Sequence, residues 1–226
     1  PSSAMPSTAE PTTEQKRNAR VILRRLHKRY PEMKTALDYE NSWQLLVSTV
    51  LSAQTTDDNV NKVAPGLFAR YPTAEDLALA DPEEVEELIF STGFYRQKTK
   101  SIIALSADLV AEHDGRVPQD LKALVELRGV GRKTASVVLA EVWDIPAIAV
   151  DTHVKRVTNR LGITASDDPS KIESELKALY LEKDWSGLSM RFIQFGRDVC
   201  DARRPQCWDC PLRDRCSFEP KAPPPS

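Results

Sequence analysis

The chain has 226 residues, which is enough for one large domain or two small ones. Hydrophobic residues make up 41% of it and charged residues 28%, as in globular proteins, and no run approaches the ~20 apolar residues that span a bilayer, which excludes a membrane-spanning protein. The formal net charge of -2 argues mildly against a nucleic-acid-binding protein, although positive charge gathered on one face would still meet phosphates.

Residues 1–13 are rich in Pro, Ser, Thr and Ala and predict a disordered tail, as does the proline-rich stretch at 219–226. Between these tails, apolar residues recur at helical spacing almost throughout. A first helix is predicted to end before Pro31, and Asn41 to cap the second helix at the start of its apolar stripe.

Further helices follow the same periodicity, with a break expected at Pro65. They are predicted at residues 57–69, 73–80, 82–91, 96–112, 121–127, 132–142, 152–161, 170–181 and 185–200. Only residues 145–150 have an extended pattern, and Pro146 disfavours a long strand there. The predicted fold class is therefore all-α.

Residues 127–133 read Leu-Arg-Gly-Val-Gly-Arg-Lys and join two amphipathic helices. Glycines at 129 and 131 let the main chain approach another group closely, and N–H groups at the following helix start favour an anion. Arg132 and Lys133 come directly after the glycines and are costly to bury. The pattern indicates a phosphate contact that positions the protein on DNA, while the spacing alone also fits a plain helix connection.

Three segments together resemble the endonuclease III family of helix-hairpin-helix DNA glycosylases. Residues 127–135 match the family hairpin, with Arg128 where many relatives have proline. Residues 149–154, Ala-Val-Asp-Thr-His-Val, match its aspartate motif, and residues 51–57 match its early DNA-facing segment. The resemblance runs from Gln15 to Cys216, and the motifs and cysteines occur in the family order.

This resemblance implies two all-α domains with a DNA-binding groove between them. One is a helix-hairpin-helix six-helix bundle at residues 35–145, and the other is an iron–sulfur cluster domain built from residues 14–34 and 146–218. The implied activity is that of a bifunctional DNA glycosylase/AP lyase of base excision repair. The expected partner is double-stranded DNA containing oxidised pyrimidines or abasic sites. The enzyme is expected to be a cytoplasmic, nucleoid-associated monomer with no membrane partner, because no signal peptide is recognisable.

The resemblance assigns the catalytic roles to Lys133 and Asp151. A lysine amine is a poor nucleophile at neutral pH because its reference pKa is ~10.4, so burial or nearby positive charge must favour the neutral form. Lys133 lies beside Arg132 at the positive end of a helix dipole, and the family motif implies that it attacks the sugar C1′. Asp151, which the sequence also predicts as a helix cap, is implied to stabilise positive charge at the sugar.

All four cysteines fall near the end of the chain, at Cys200, Cys207, Cys210 and Cys216. This spacing indicates a metal centre rather than disulfides, and by itself it leaves zinc and an iron–sulfur cluster open. The intervals match those of the family's [4Fe–4S] loop, which implies that the four thiolates bind such a cluster. The loop is expected to present Arg203 and Arg204 to the DNA backbone.

An enzyme that acts on a base inside a duplex must extrude it and fill the gap. The family match implies that Gln54 enters the space left behind and that Phe94, where many relatives have leucine, lies in a second wedge. A core aromatic is an alternative interpretation of Phe94. The hairpin residues expected to contact DNA are Arg128, Gly129, Val130 and Gly131.

Three other classes of protein fit parts of this pattern. An adenine glycosylase of the same superfamily shares the cysteine spacing and Asp151, but such relatives usually lack a lysine at the position of Lys133. A non-catalytic DNA-docking module would need only the hairpin and the cluster, which leaves Lys133, Asp151 and Gln54 without a role. A helical protein with a zinc knuckle would bind zinc and would have no brown colour.

Overall fold

The computed structural model describes residues 10–32 and 34–224. All regular elements in this part of the chain are helical and none is a strand, which confirms the all-α prediction. No helix within it is long and apolar enough to cross a membrane. Positions 1–9 of the disordered tail expected at residues 1–13 lie outside the described residues. The expectation is wrong for the end of that tail, because Thr12 caps the first helix with its side chain and Thr13 begins it.

Eleven α-helices occur in the described residues. They are α1 (Thr13–Arg29), α2 (Ser42–Leu51), α3 (Asp57–Arg70), α4 (Ala74–Ala78), α5 (Pro82–Ile89), α6 (Tyr95–His113), α7 (Leu121–Glu126), α8 (Arg132–Trp143), α9 (Thr152–Leu161), α10 (Pro169–Leu179) and α11 (Leu188–Asp198). Short 3-10 turns lie at Phe90–Thr92, Glu182–Asp184, Cys207–Asp209 and Arg213–Arg215.

Polar residues that the sequence marks as helix caps do begin helices. Asn41 Oδ1 accepts the Gln44 N–H at 2.9 Å at the start of α2. Asp81 and Asp168 cap α5 and α10 in the same way, each followed by a proline in the first turn. These bonds satisfy N–H groups that a first helical turn leaves without an intrahelical partner.

Two helices differ from the sequence prediction. The break expected at Pro65 is wrong, because α3 continues through it to Arg70. Burial of Ala64 and Leu67 on the core side of α3 offsets the free energy lost with the backbone hydrogen bond that proline removes. The last helix begins at Leu188 rather than residue 185, because Gly187 adopts a left-handed conformation with φ 74° and separates it from the preceding turn.

The C-terminal segment also differs from the expected disordered tail at 219–226. The structure describes it as far as residue 224, and Lys221 Nζ donates to the Cys216 carbonyl at 3.0 Å. Lys221 also contacts the Phe218 carbonyl and pairs with Glu219. These contacts fold the residues after the last cysteine back onto the cysteine loop.

The chain divides into two compact units. The hairpin unit is Thr35–Ile145, in which α2 packs on α6 and α8, and α4 and α5 pack on α6. Its core is made of aliphatic side chains with no exposed surface, among them Leu45, Leu46, Leu51, Leu67, Ile102 and Leu105.

The cysteine unit comprises the described residues of Pro1–Lys34 and Pro146–Ser226. In it α9 packs on α11, and α1 packs on α10 and α11. Ile22 and Leu26 of α1 share a core with Phe192 and Phe195 of α11. Helix α1 is thus joined by burial of apolar surface to elements more than a hundred residues away.

Candidate active site and cysteine loop

The predicted hairpin is formed by α7 and α8 with a tight turn between them. Leu127 and Val130 are buried in the core of the hairpin unit, and the Val130 N–H donates to the Leu127 carbonyl at 3.1 Å. This arrangement turns the Val130 side chain inward, so that its main chain is the part available for the predicted DNA contact.

The two glycines of the turn have different structural requirements. Gly129 has φ 81°, and a Cβ there would lie 2.7 Å from the Cβ of Ser101 on α6, so the fold itself requires glycine. Gly131 has an ordinary φ of −86°, and a Cβ there would meet nothing within 4 Å. Packing within the protein does not explain Gly131, whereas the close approach of a phosphate would.

Lys133 lies in the first turn of α8, next to Arg132, and both side chains are exposed. No side chain among the described residues caps the start of this helix. The positive end of the helix dipole lies at this turn, where Arg132 and Lys133 follow one another.

Arg128 turns back onto α6 beside the hairpin. Its guanidinium contacts Asp108, and its Nη2 donates to the Ala104 carbonyl at 3.3 Å. The side chain nevertheless keeps 64% of its surface exposed. The predicted DNA contact of Arg128 stays a prediction, and Asp108 is a partner that no local sequence pattern revealed.

Gln54 and Phe94, the two residues predicted to fill the gap in DNA, share an uncommon backbone conformation. Their φ angles are 57° and 47°, both in the left-handed region, which costs a non-glycine residue about 1–2 kcal/mol. Both side chains are exposed, Phe94 at 66% of its surface, so the core-aromatic interpretation of Phe94 is wrong. Strained, exposed residues of this kind concentrate at functional sites.

Asp151 is the N-cap of α9, in the cysteine unit. Its Oδ1 accepts the N–H groups of His153 and Val154 at 2.8 and 2.9 Å. The residues before it, Ile148 and Ala149, are buried, and the Ala149 N–H donates to Ser189 Oγ at 2.9 Å. The carboxylate is thus held in one place by its own helix, which suits a fixed electrostatic role.

His153 packs at the contact between α9 and α11. Its Nδ1 lies 3.1 Å from Arg156 Nη2, which also donates to the Gly196 carbonyl at 2.9 Å. A Cβ on Gly196 would lie 3.2 Å from the His153 Cβ, so α9 and α11 pack closely at this point.

The four cysteines are all free thiols, which excludes disulfides among them in this structure. Burial, together with the charges of Cys200, Cys216 and Cys207, raises the pKa of the Cys210 thiol to about 11. Cys200, Cys210 and Cys216 pack against the same hydrophobic core, so these thiols lie in one region of the cysteine unit. No three His, Cys, Asp or Glu side chains in the described ranges converge as closely as a single metal ion requires. Four free cysteine thiols on one loop do supply the four thiolates that a [4Fe–4S] cluster requires.

Arg160 in the last turn of α9 organises the cysteine loop, a role that no local sequence pattern indicates beyond a basic residue at a helix end. Its Nη1 lies 3.4 Å from Cys200 Sγ and donates to the Asp201 carbonyl at 2.7 Å. Its Nη2 donates to the Ala202 carbonyl at 2.9 Å, and its own carbonyl accepts the Cys216 thiol at 3.2 Å. The guanidinium is placed to stabilise a thiolate at Cys200, while its other bonds fix the carbonyl groups of the loop.

Arg203 and Arg204 lie at the exposed outer edge of the same loop. Their N–H groups both donate to Asp201 Oδ1 at 2.8 Å, which lowers the pKa of that carboxyl. The Asp201 side chain therefore shapes the turn that presents the two guanidinium groups to solvent.

Comparison with known proteins identifies both parts of this arrangement. Residues 47–181 match the family model of the HhH-GPD superfamily base excision DNA repair proteins, and residues 200–216 match that of the iron–sulfur binding domain of endonuclease III. The chain is 49% identical over 213 residues to the endonuclease III of Synechocystis sp., an alignment that covers 94% of this chain and 97% of that protein.

Solved structures give the same result. The chain is similar to a non-covalent endonuclease III–DNA complex, with a TM-score of 0.85, 43% identity, and coverage of 89% of this chain and 95% of that one. A trapped covalent endonuclease III–DNA intermediate, an estranged-adenine complex, matches with the same TM-score, identity and coverage.

Proposed function

The chain belongs to the endonuclease III family, and on that basis we propose that it excises oxidised pyrimidines from duplex DNA with Lys133 as its nucleophile. It is a DNA glycosylase with AP lyase activity of base excision repair. The observation that carries the residue assignment is the position of Lys133 in the uncapped first turn of α8, directly after the open surface at Gly131.

The hairpin binds the DNA backbone. A phosphate approaching Gly131 meets no Cβ and lies at the positive end of α8, so it is attracted without reading the base sequence. The same contact brings the sugar of the target nucleotide toward Lys133. In a matched solved structure, endonuclease III is bound to DNA non-covalently, which supports DNA as the ligand.

Lys133 carries out the covalent step. Its amine forms a bond to the sugar C1′ as the bond from C1′ to the base nitrogen breaks, and the base leaves with the electron pair and takes up a proton. The sugar ring then opens to a Schiff base. Loss of a proton from C2′ expels the 3′ phosphate by β-elimination, which nicks the strand. The trapped covalent complex formed by a relative supports a covalent intermediate of this type.

Asp151 stabilises the positive charge that develops at C1′ as the base leaves, and it assists the proton transfers that follow. Its cap bonds to His153 and Val154 hold the carboxylate in a fixed orientation before substrate binds, so no reorganisation is required during the reaction. Gln54 and Phe94 fill the space that the extruded nucleotide leaves.

The chain carries a [4Fe–4S] cluster. We assign Cys200, Cys207, Cys210 and Cys216 as its ligands because their thiols lie together and are not paired as disulfides. When bound, the cluster supplies four metal–thiolate bonds that cross-link the loop. Arg160 holds the loop carbonyls, and Arg203 and Arg204 face outward from it to meet DNA phosphates.

The proposal is tested by borohydride trapping on a duplex with one thymine glycol. The wild type should form a covalent protein–DNA adduct, and Lys133→Ala should form none. Lys122→Ala, which removes another exposed lysine of the hairpin from α7, is the matched control and should trap normally. No adduct from the wild type, with DNA binding intact, would contradict the proposal; release of adenine opposite oxidised guanine without nicking would then indicate the adenine glycosylase.

A further inference from the structure

The segment between α5 and α6 contains two successive residues with a positive φ, and the second of them, Phe94, is left-handed. Gly93 has φ 68° and Phe94 has φ 47°. The Phe94 side chain is 66% exposed, so its own burial does not stabilise this conformation. A non-glycine residue stays in the left-handed region only where surrounding contacts impose it, so other groups must hold this segment.

Lys98 in α6 supplies those contacts. Its N–H donates to the Phe94 carbonyl at 3.1 Å, and its Nζ donates to the Thr92 carbonyl at 2.7 Å. Thr92 is itself buried, and its Oγ1 donates to the Ile89 carbonyl at 2.8 Å. One residue of α6 therefore binds the carbonyl groups on both sides of Gly93, and only the bond to Thr92 depends on the lysine side chain.

The charge on Lys98 is costly for the folded protein. The residue is only 5% exposed, and no acidic side chain in the described residues pairs with it. Burial lowers the pKa of its amine, which reports the loss of hydration. A buried ammonium with a single side-chain hydrogen bond is less stable than an apolar side chain of the same volume, so packing alone does not account for lysine at this position.

We propose that Lys98 is a positioning residue for base extrusion: it holds the Phe94 backbone in the conformation from which the ring enters the base stack as the target nucleotide leaves. The inference rests on the proposed function and deepens it. An apolar residue at 98 would fill the same space but leave the Thr92 carbonyl without its donor. Gly93 and Phe94 would then relax toward ordinary backbone angles, and the ring would leave its extruding orientation.

Lys98→Met tests this inference, with Lys100→Met as the control for loss of one positive charge from an exposed position on the same helix. Thermal unfolding measures stability. The fluorescence of 2-aminopurine placed opposite thymine glycol measures unstacking when the protein binds. Release of thymine glycol is then compared with nicking of a preformed abasic site, which has no base to extrude.

The Lys98→Met protein should melt within a few degrees of the wild type, because removal of a buried charge offsets the loss of the hydrogen bond to the Thr92 carbonyl. It should also lose most of the fluorescence increase. It should release thymine glycol roughly tenfold more slowly or worse, and nick the abasic site at close to the wild-type rate. In a Phe94→Ala background, Lys98→Met should have no further effect on the release of thymine glycol, because both substitutions abolish the same step, the insertion of the Phe94 ring. Lys100→Met should retain the fluorescence increase.

Several outcomes would overturn the inference: an unchanged fluorescence increase, equal loss on both substrates, or effects that add to those of Phe94→Ala. If Lys98→Met does not fold, Lys98→Gln, which keeps a neutral donor, is measured instead. If that variant is also unfolded at the assay temperature, Lys98 is a stability residue and the inference is wrong. If the wild type does not release thymine glycol, the proposed function is contradicted. The inference about Lys98 is still tested in that case, because the fluorescence comparison requires no bond cleavage.

Discussion

Arg128 in the hairpin turn and Asp108 on α6 are joined by main-chain and side-chain hydrogen bonds. The Arg128 N–H donates to Asp108 Oδ2 at 2.9 Å, and its Nε and Nη2 donate to Oδ1 at 2.9 and 2.5 Å. Side-chain bonds from Arg128 lower the pKa of the Asp108 carboxyl. The turn before Lys133 is thus fixed to a neighbouring helix by the main chain and the side chain of Arg128.

The Arg128–Asp108 pair should stabilise the folded protein at neutral pH and lose that effect in acid. Because the pKa of Asp108 is lower in the folded protein than in the unfolded chain, its stabilisation is complete above the unfolded value and is lost as the pH falls through the folded value. Asp108→Asn should therefore melt a few degrees below the wild type at neutral pH and converge with it in acid. Parallel melting curves across that acid range would contradict this assignment.

The predicted contact between Arg128 and DNA is tested by the salt dependence of binding. We expect Arg128→Ala to reduce the slope of log affinity against log salt by about one, as loss of one phosphate contact does. Asp108→Ala should leave that slope unchanged while loosening the turn. Equal salt slopes for both variants would show that Arg128 contacts Asp108 but no DNA phosphate.

The two hairpin glycines should respond differently to substitution. Gly129→Ala places a Cβ against Ser101 at a positive φ, so it should destabilise the protein by at least about 1–2 kcal/mol. Gly131→Ser adds a favourable helix cap in open space, so the protein should remain as stable as the wild type or become more stable. It should nevertheless bind DNA more weakly, because the side chain occupies the surface left for a phosphate. Unimpaired DNA binding by Gly131→Ser, measured by fluorescence anisotropy, would disprove that role.

The capping and catalytic roles of Asp151 can be separated. Asparagine caps helices about as well as aspartate, whereas alanine costs roughly 0.5–2 kcal/mol at a cap. Asp151→Asn should therefore melt like the wild type but lose thymine glycol release by roughly 10²–10⁴-fold, the usual contribution of a general acid–base residue. Asp151→Ala should lose both activity and stability. An active Asp151→Asn enzyme would exclude the catalytic role and show that Asp151 serves only as a helix cap.

Removal of the cluster should destabilise the cysteine unit and leave the hairpin unit folded. Without metal–thiolate bonds, the loop that ends at Cys216 keeps the Arg160 contacts but loses its cross-links. Chelation of the iron should expose residues 200–216 to proteolysis while amides in the core of the hairpin unit stay protected from hydrogen exchange. Cys210→Ser should behave like the chelated protein. Uniform loss of protection in both units would show that the cluster stabilises the whole chain.

Local sequence patterns determined the helices and much of the candidate site. Asn41, Asp81 and Asp168 begin helices because a side-chain oxygen satisfies N–H groups only two or three residues away, so the signal is complete within one turn. The hairpin glycines and the cysteine spacing are likewise short-range patterns. Pro65 is the exception, since burial of α3 overrides the local preference of proline.

Only the tertiary structure decided which residues support that site. Lys98 looks like one more basic residue on a helix, Asp108 lies twenty positions before its partner Arg128, and Arg160 reaches carbonyls some forty positions further along the chain. Their roles depend on burial and on hydrogen bonds between segments that are distant in sequence. A periodic pattern records which face of a helix is apolar, but it does not record which carbonyl or carboxylate the folded chain brings to that face.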